Sequence, residues 1–74
     1  MDNDNLVRMA NRIGDFFEAM PDEQEALEGI ALHLRKFWDP RMRRQMLAQV
    51  EQGGAQGLHP LVAKALEQKR HALL

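Results

Sequence analysis

The chain has 74 residues, a net charge of −1 and no cysteine, serine, threonine or tyrosine, which bounds it to one small domain without disulfides, thiolate metal sites or hydroxyl and thiol nucleophiles. A single core of this size leaves only about 3–5 kcal/mol of net stability, so a partner or self-association is the remaining support. No apolar run reaches the length of a membrane span, and Met1 is followed by Asp2 and Asp4 rather than a basic, apolar leader, so a soluble intracellular protein is expected.

The first predicted helix covers about 4–20. Leu6, Met9, Ala10, Ile13, Phe16, Phe17 and Met20 fall on one arc of roughly 120°, the width of a core-facing stripe. Pro21 ends it. Asp22 then caps a second helix over 22–38, with Glu25 in a capping-box relation and acids in the first turn. Its stripe is Leu27, Ile30, Ala31, Leu34, Phe37 and Trp38, while Leu32 points away. His33 lies at the stripe's edge, one turn before Phe37, as a hydrogen-bonded packing histidine would. Trp38, the only tryptophan, is expected to stay partly open to a partner, because so small a core will not hold four large aromatics.

Asp39-Pro40 is a stop and a restart in two residues, with Asp39 as cap and Pro40 at the first helical position. The third helix runs over 40–52 and ends at Gly53-Gly54, where glycine accepts a left-handed C-cap. Arg43 falls inside its apolar sector, among Met42, Met46, Leu47 and Val50, whereas Arg41 and Arg44 project from the other side. Arg43 must therefore snorkel, pair with a buried acid or reach into another chain. After a glycine-rich loop, Pro60 opens a fourth helix over 60–72, with Lys69 among its apolar residues. There is no strand-type alternation, so the fold class is all-α: a small bundle of three to four short helices. Residues 1–74 form a single helical domain whose first few residues and C-terminal end are expected to fray.

The charge is unevenly laid out. Residues 1–34 carry eight acids against Arg8 and Arg12, while Arg35, Lys36, Arg41, Arg43 and Arg44 follow against Asp39 alone. An arginine-rich third helix suggests a nucleic-acid contact. The slightly acidic chain and the short basic run oppose it, since phosphate contacts need a broad basic footprint. His33, His59 and His71 have no metal-ligand spacing. Nothing arranges Lys, His, Asp and Glu for acid–base catalysis.

Several blocks resemble a known family. Asn11-Arg12-Ile13-Gly14-Asp15-Phe16-Phe17, the run from Glu25 to His33, Phe37-Trp38-Asp39-Pro40-Arg41-Met42-Arg43 and Gly57-Leu58-His59-Pro60-Leu61-Val62 with Ala65-Leu66 are similar to the small delta subunit of NAD-dependent, molybdenum- or tungsten-containing formate dehydrogenase. The resemblance covers about residues 9–66, and the Phe-Trp-x-Pro-Arg-Met-Arg block is its most specific part. It implies a cytoplasmic complex whose larger subunits hold pterin, iron–sulfur clusters and flavin, with no cofactor in this chain. It also implies a non-catalytic accessory role: docking on the catalytic alpha subunit and supporting its assembly or molybdopterin-cofactor maturation. Carried over by position, Phe37, Trp38, Pro40, Arg41, Met42 and Arg43 form the contact region, with His33 and Gly29 in the matching second-helix pattern. His59 departs from the serine expected before Pro60, which implies a loosely started fourth helix. Two other readings stand beside this one: a nucleic-acid-binding regulator using the third helix, and a helical protein that pairs with its own copy when isolated.

Overall fold

The computed structural model describes residues 2–74 and contains, among them, five helices and no strand. Helix α1 (Asn3–Phe17) starts at Asp2, whose carboxylate accepts from the Asp4 N–H at 3.0 Å. It ends three residues before the expected limit. Proline 21 holds the preceding residue out of the helical region, and the chain unwinds through a turn in which Met20 N–H donates to the Phe17 carbonyl. Helix α2 (Glu23–Phe37) is capped by Asp22 through the Gln24 N–H at 2.9 Å and carries Arg35 and Lys36 in its last turn. Both ends thus place charge as the helix dipole favours.

Helix α3 (Pro40–Glu51) starts as expected: Asp39 accepts from the Arg41 N–H at 2.8 Å and Pro40 sits in the first turn. It closes at Gln52 and the left-handed Gly53, φ 72°. Helix α4 (Pro60–Gln68) is shorter than the predicted 60–72 segment. The backbone breaks at Lys69 and continues as a single turn, α5 (Arg70–Leu73). The break brings α5 back against α2 and α3, where side chains of the α2–α3 corner hold its carbonyls, and it buries Leu73.

The core lies where α1, α2 and α4 meet, closed by α3 and α5. Leu6, Ala10 and Ile13 face Leu27, Ile30 and Leu34, and Met46, Val62, Ala65 and Leu66 complete it. These residues come from the predicted stripes, which lose Phe16 and Phe37 to the surface, and no polar or charged side chain among the described residues is buried with them. Leu6, Leu27 and Ile30 are fully enclosed, so truncating any one to alanine is expected to cost about 2–5 kcal/mol.

Candidate functional site

The Lys36–Arg44 corner divides into an inner and an outer half. Trp38 is buried, with only 6 % of its surface exposed. This corrects the expectation that it stays open to a partner: it follows the last turn of α2, and the return of α5 over the corner encloses the position. Met42 packs partly buried against the core. Arg43 also turns inward. Its Nε donates to the Leu73 carbonyl at 3.1 Å, and its Nη1 donates to the carbonyls of Arg35 and Trp38 at 3.1 and 2.8 Å. The last carbonyls of α2 have no intrahelical N–H to accept from, and the guanidinium supplies it. No buried acid pairs with Arg43 among the described residues; its guanidinium is turned onto backbone carbonyls of its own chain. Arg35 reaches the Ala72 carbonyl at 3.3 Å, and Arg44 bends back to the Pro40 carbonyl at 3.4 Å. Three of the cations behind the nucleic-acid reading are therefore engaged with backbone. Of the predicted contact residues, Phe37, Pro40 and Arg41 are exposed and His33 is half-buried.

Phe37 belongs to a second surface. Its ring is 72 % exposed and lies 4.8 Å from the His33 imidazole. Among the described residues His33 makes no hydrogen bond within the chain, so it packs at a tilt against the Phe37 ring rather than being the hydrogen-bonded histidine expected. His33 in turn lines a groove of about 390 Å³ with Arg12, Ile13, Phe16 and Phe17. Phe16 is 74 % exposed and meets Phe17 edge-on at 5.0 Å. The groove follows the seam between α1 and α2, and near its end Phe17 packs directly over Gly29. A Cβ there would stand 2.4 Å from the Phe17 ring. Phe16 was missed as a surface residue because it shares the apolar arc of α1; the available signal was its place at the extreme edge of that arc, 60° from Ile13.

On another side of α1, the Asn11–Glu18 segment meets the Gly57–Pro60 loop. Asn11 donates to the Gly57 carbonyl at 2.8 Å and accepts from the His59 N–H at 2.7 Å. His59 Nδ1 accepts from the Leu61 N–H at 3.1 Å, capping α4. The imidazole lies flat over Gly14, where a Cβ would come within 2.6 Å of its Cγ. The expectation of a loosely started fourth helix is thus corrected. Histidine replaces a serine hydroxyl with a ring nitrogen, and the ring gains a packing partner that serine lacks.

His59 Nε2 also approaches Glu18 at 3.3 Å and Asp15 at 3.6 Å. These three residues bring ligand atoms within 4.8 Å of one another, which invites a metal reading. The cap argues against it. A neutral imidazole whose Nδ1 accepts from a backbone N–H carries its proton on Nε2, the nitrogen that a metal would need bare. Both carboxylates are well exposed, so the trio is better described as a hydrogen-bonded latch.

The fold and these surfaces define a small all-α bundle with a polar latch on one side of its first helix and an uncovered aromatic seam on another. The family model described as NADH-dependent formate dehydrogenase delta subunit, FdsD, matches residues 5–66, and the chain belongs to that family. No curated protein and no solved structure matches the chain. The matched span includes the latch, the groove and the α2–α3 corner, and stops short of α5. No helix among the described residues is long and apolar enough to cross a membrane.

Proposed function

We propose that this chain is a non-catalytic delta subunit that docks on the catalytic subunit of a cytoplasmic formate dehydrogenase and supports its assembly or the maturation of its molybdopterin cofactor. The observation that carries the reading is the exposure of Phe16 and Phe37 on one seam, joined through His33. Burying an aromatic side chain is worth about 1.5–3 kcal/mol, so two left in water on one face mark a surface completed by another molecule. The docking face is therefore centred on Phe16, His33 and Phe37, with Pro40 and Arg41 beyond Phe37. Trp38, Met42 and Arg43 act from beneath, by fixing the corner that presents Phe37. A non-catalytic role is supported by a chain without Ser, Thr, Tyr or Cys and by a His59 whose Nδ1 is already engaged in capping α4.

The test is removal of the subunit from a complete formate dehydrogenase. Formate oxidation by the purified complex should fall together with its molybdopterin content, and both should return when the chain is supplied in trans. A complex that assembles, holds its cofactor and turns over normally without the chain would refute the assembly role. Metal and flavin analysis of the isolated chain, expected to find neither, tests the absence of a cofactor of its own.

A further inference from the structure

The cations of this protein fall into two groups. Arg35, Arg43, Arg44, Lys64, Lys69 and Arg70 each donate to a carbonyl or approach a carboxylate of the same chain. Among the described residues, Arg8, Arg12, Lys36 and Arg41 do not, and all four are exposed. One of these four lines the α1–α2 groove, and two more stand within a helical turn of its lining residues. Arg12 lines it; Arg8 stands one turn earlier on the same face of α1, and Lys36 stands three residues after His33 on α2. The carboxylates of Asp15 and Glu18 are turned the other way, to His59. An apolar trough thus carries uncompensated positive charge along its edges.

We infer that this groove receives one acidic amphipathic helix of the catalytic subunit. Its apolar residues seat against Phe16, Phe17 and Phe37, and its flanking Asp or Glu side chains pair with Arg8, Arg12 and Lys36. The inference rests on the docking reading above and adds the chemistry of what docks. A helix suits the site because the groove lies between two helices and the described residues offer no strand edge. The stretch from Gly29 to Phe37 spans about 12 Å at 1.5 Å per residue, room for two turns of the incoming helix with anchors at i, i+3 or i+4, and i+7. A second copy of the chain fits poorly, because a two-fold contact through this groove sets its cations against themselves. Three cations on a chain of net charge −1 are too few for a phosphate backbone.

The test uses the complete complex, with the tagged chain co-expressed with the other formate dehydrogenase subunits. Wild-type chain should retain the catalytic subunit, with retention weakening as salt rises from about 50 to about 300 mM. Retention should fall about tenfold or more for Arg12→Glu with Lys36→Glu, and likewise for Phe16→Ala with Phe37→Ala. Lys64→Gln, at an exposed position of α4 outside the docking face, should leave it unchanged. The exchanged side chains are exposed, and Arg12 and Lys36 have no partner among the described residues, so the isolated variants should melt as the wild type does. Replacing Phe16 by its benzoyl-substituted photoreactive analogue should cross-link a catalytic-subunit segment with helically spaced apolar residues flanked by Asp or Glu. Retention that survives both double substitutions overturns the inference and the placement of the docking face at this seam, and leaves standing only that the chain docks on the catalytic subunit. So does a cross-link confined to nucleic acid, to a second copy or to a basic segment. Failure of the wild-type chain to retain any catalytic subunit overturns the docking reading, and the inference with it.

Discussion

Replacing Arg43 with alanine removes three hydrogen bonds at once and separates two roles for the residue. The Nε bond to Leu73 and the Nη1 bond to Trp38 are part-buried, whereas the bond to Arg35 is at the surface. Water can replace the last at little cost, but it reaches the other two carbonyls poorly. With a charged donor each part-buried bond contributes about 1.5 kcal/mol or somewhat more, so Arg43→Ala should destabilise the fold by about 2–4 kcal/mol. In a domain with about 3–5 kcal/mol in total, most of the stability is at stake, and the melting midpoint should drop by roughly 10–30 °C. Thermal melting followed by far-UV circular dichroism measures this directly on the isolated chain. Arg43→Lys should recover little, because one ammonium on a flexible stem does not reproduce a planar fork aimed at three acceptors. If Arg43→Ala melts within a few degrees of the wild type and only its binding to the catalytic subunit suffers, the residue works at the interface and the account of the corner is wrong.

Other consequences follow from the same geometry. Trp38, being enclosed, should emit at short wavelength and resist iodide quenching, and Phe16→Ala should change neither; a red-shifted, readily quenched emission would place the indole in water. Gly14→Ala drives a Cβ into His59 and should cost about 1–3 kcal/mol through overpacking and loss of the α4 cap, read by urea unfolding. Asn11→Ala removes both loop bonds at an expected cost of about 1–2 kcal/mol, and the His59 amide should then exchange markedly faster with deuterium. Nitrogen NMR of His59 should show the tautomer protonated at Nε2, and excess zinc should leave the melting midpoint unchanged; a zinc-dependent rise would restore the metal reading of Asp15, Glu18 and His59.

Most starts and stops of the helices were legible in the sequence because they are local, although α1 ends short of its predicted limit and the fourth helix breaks at Lys69. Asp22, Asp39-Pro40, Gly53 and Pro60 act on the backbone within a few residues of themselves, and the structure puts helix ends where they predict. The apolar stripes were equally legible, since a 3.6-residue period is written in consecutive residues. What escaped was decided by segments distant in sequence. Trp38 looked available because nothing near it announces that the chain returns as α5 to cover the corner. Arg43 was correctly seen to point into a packed face, but its partners are backbone carbonyls, which every residue possesses and no sequence pattern marks. His59 was judged by the rank of side chains as caps, without sight of Gly14, 45 residues earlier, which leaves room for its ring.

The aromatic seam shows the same division between local and distant causes, and it carries a thermodynamic consequence. Phe16 and Phe37 could each add about 1.5–3 kcal/mol if buried, together as much as the net stability expected of so small a domain. The fold does not take that stabilisation, and its close contacts show why. Phe17 already fills the space over Gly29, and His59 over Gly14, so α1 is held by small-residue contacts on two sides and cannot roll to bring Phe16 inward. Phe37 stands in the last turn of α2, immediately before the Trp38 that the core does enclose, about 100° round the helix from it. Burying one exposes the other. The stabilisation forgone in the isolated chain therefore remains available to whatever covers the seam, and the bound subunit should be markedly harder to unfold than the free one.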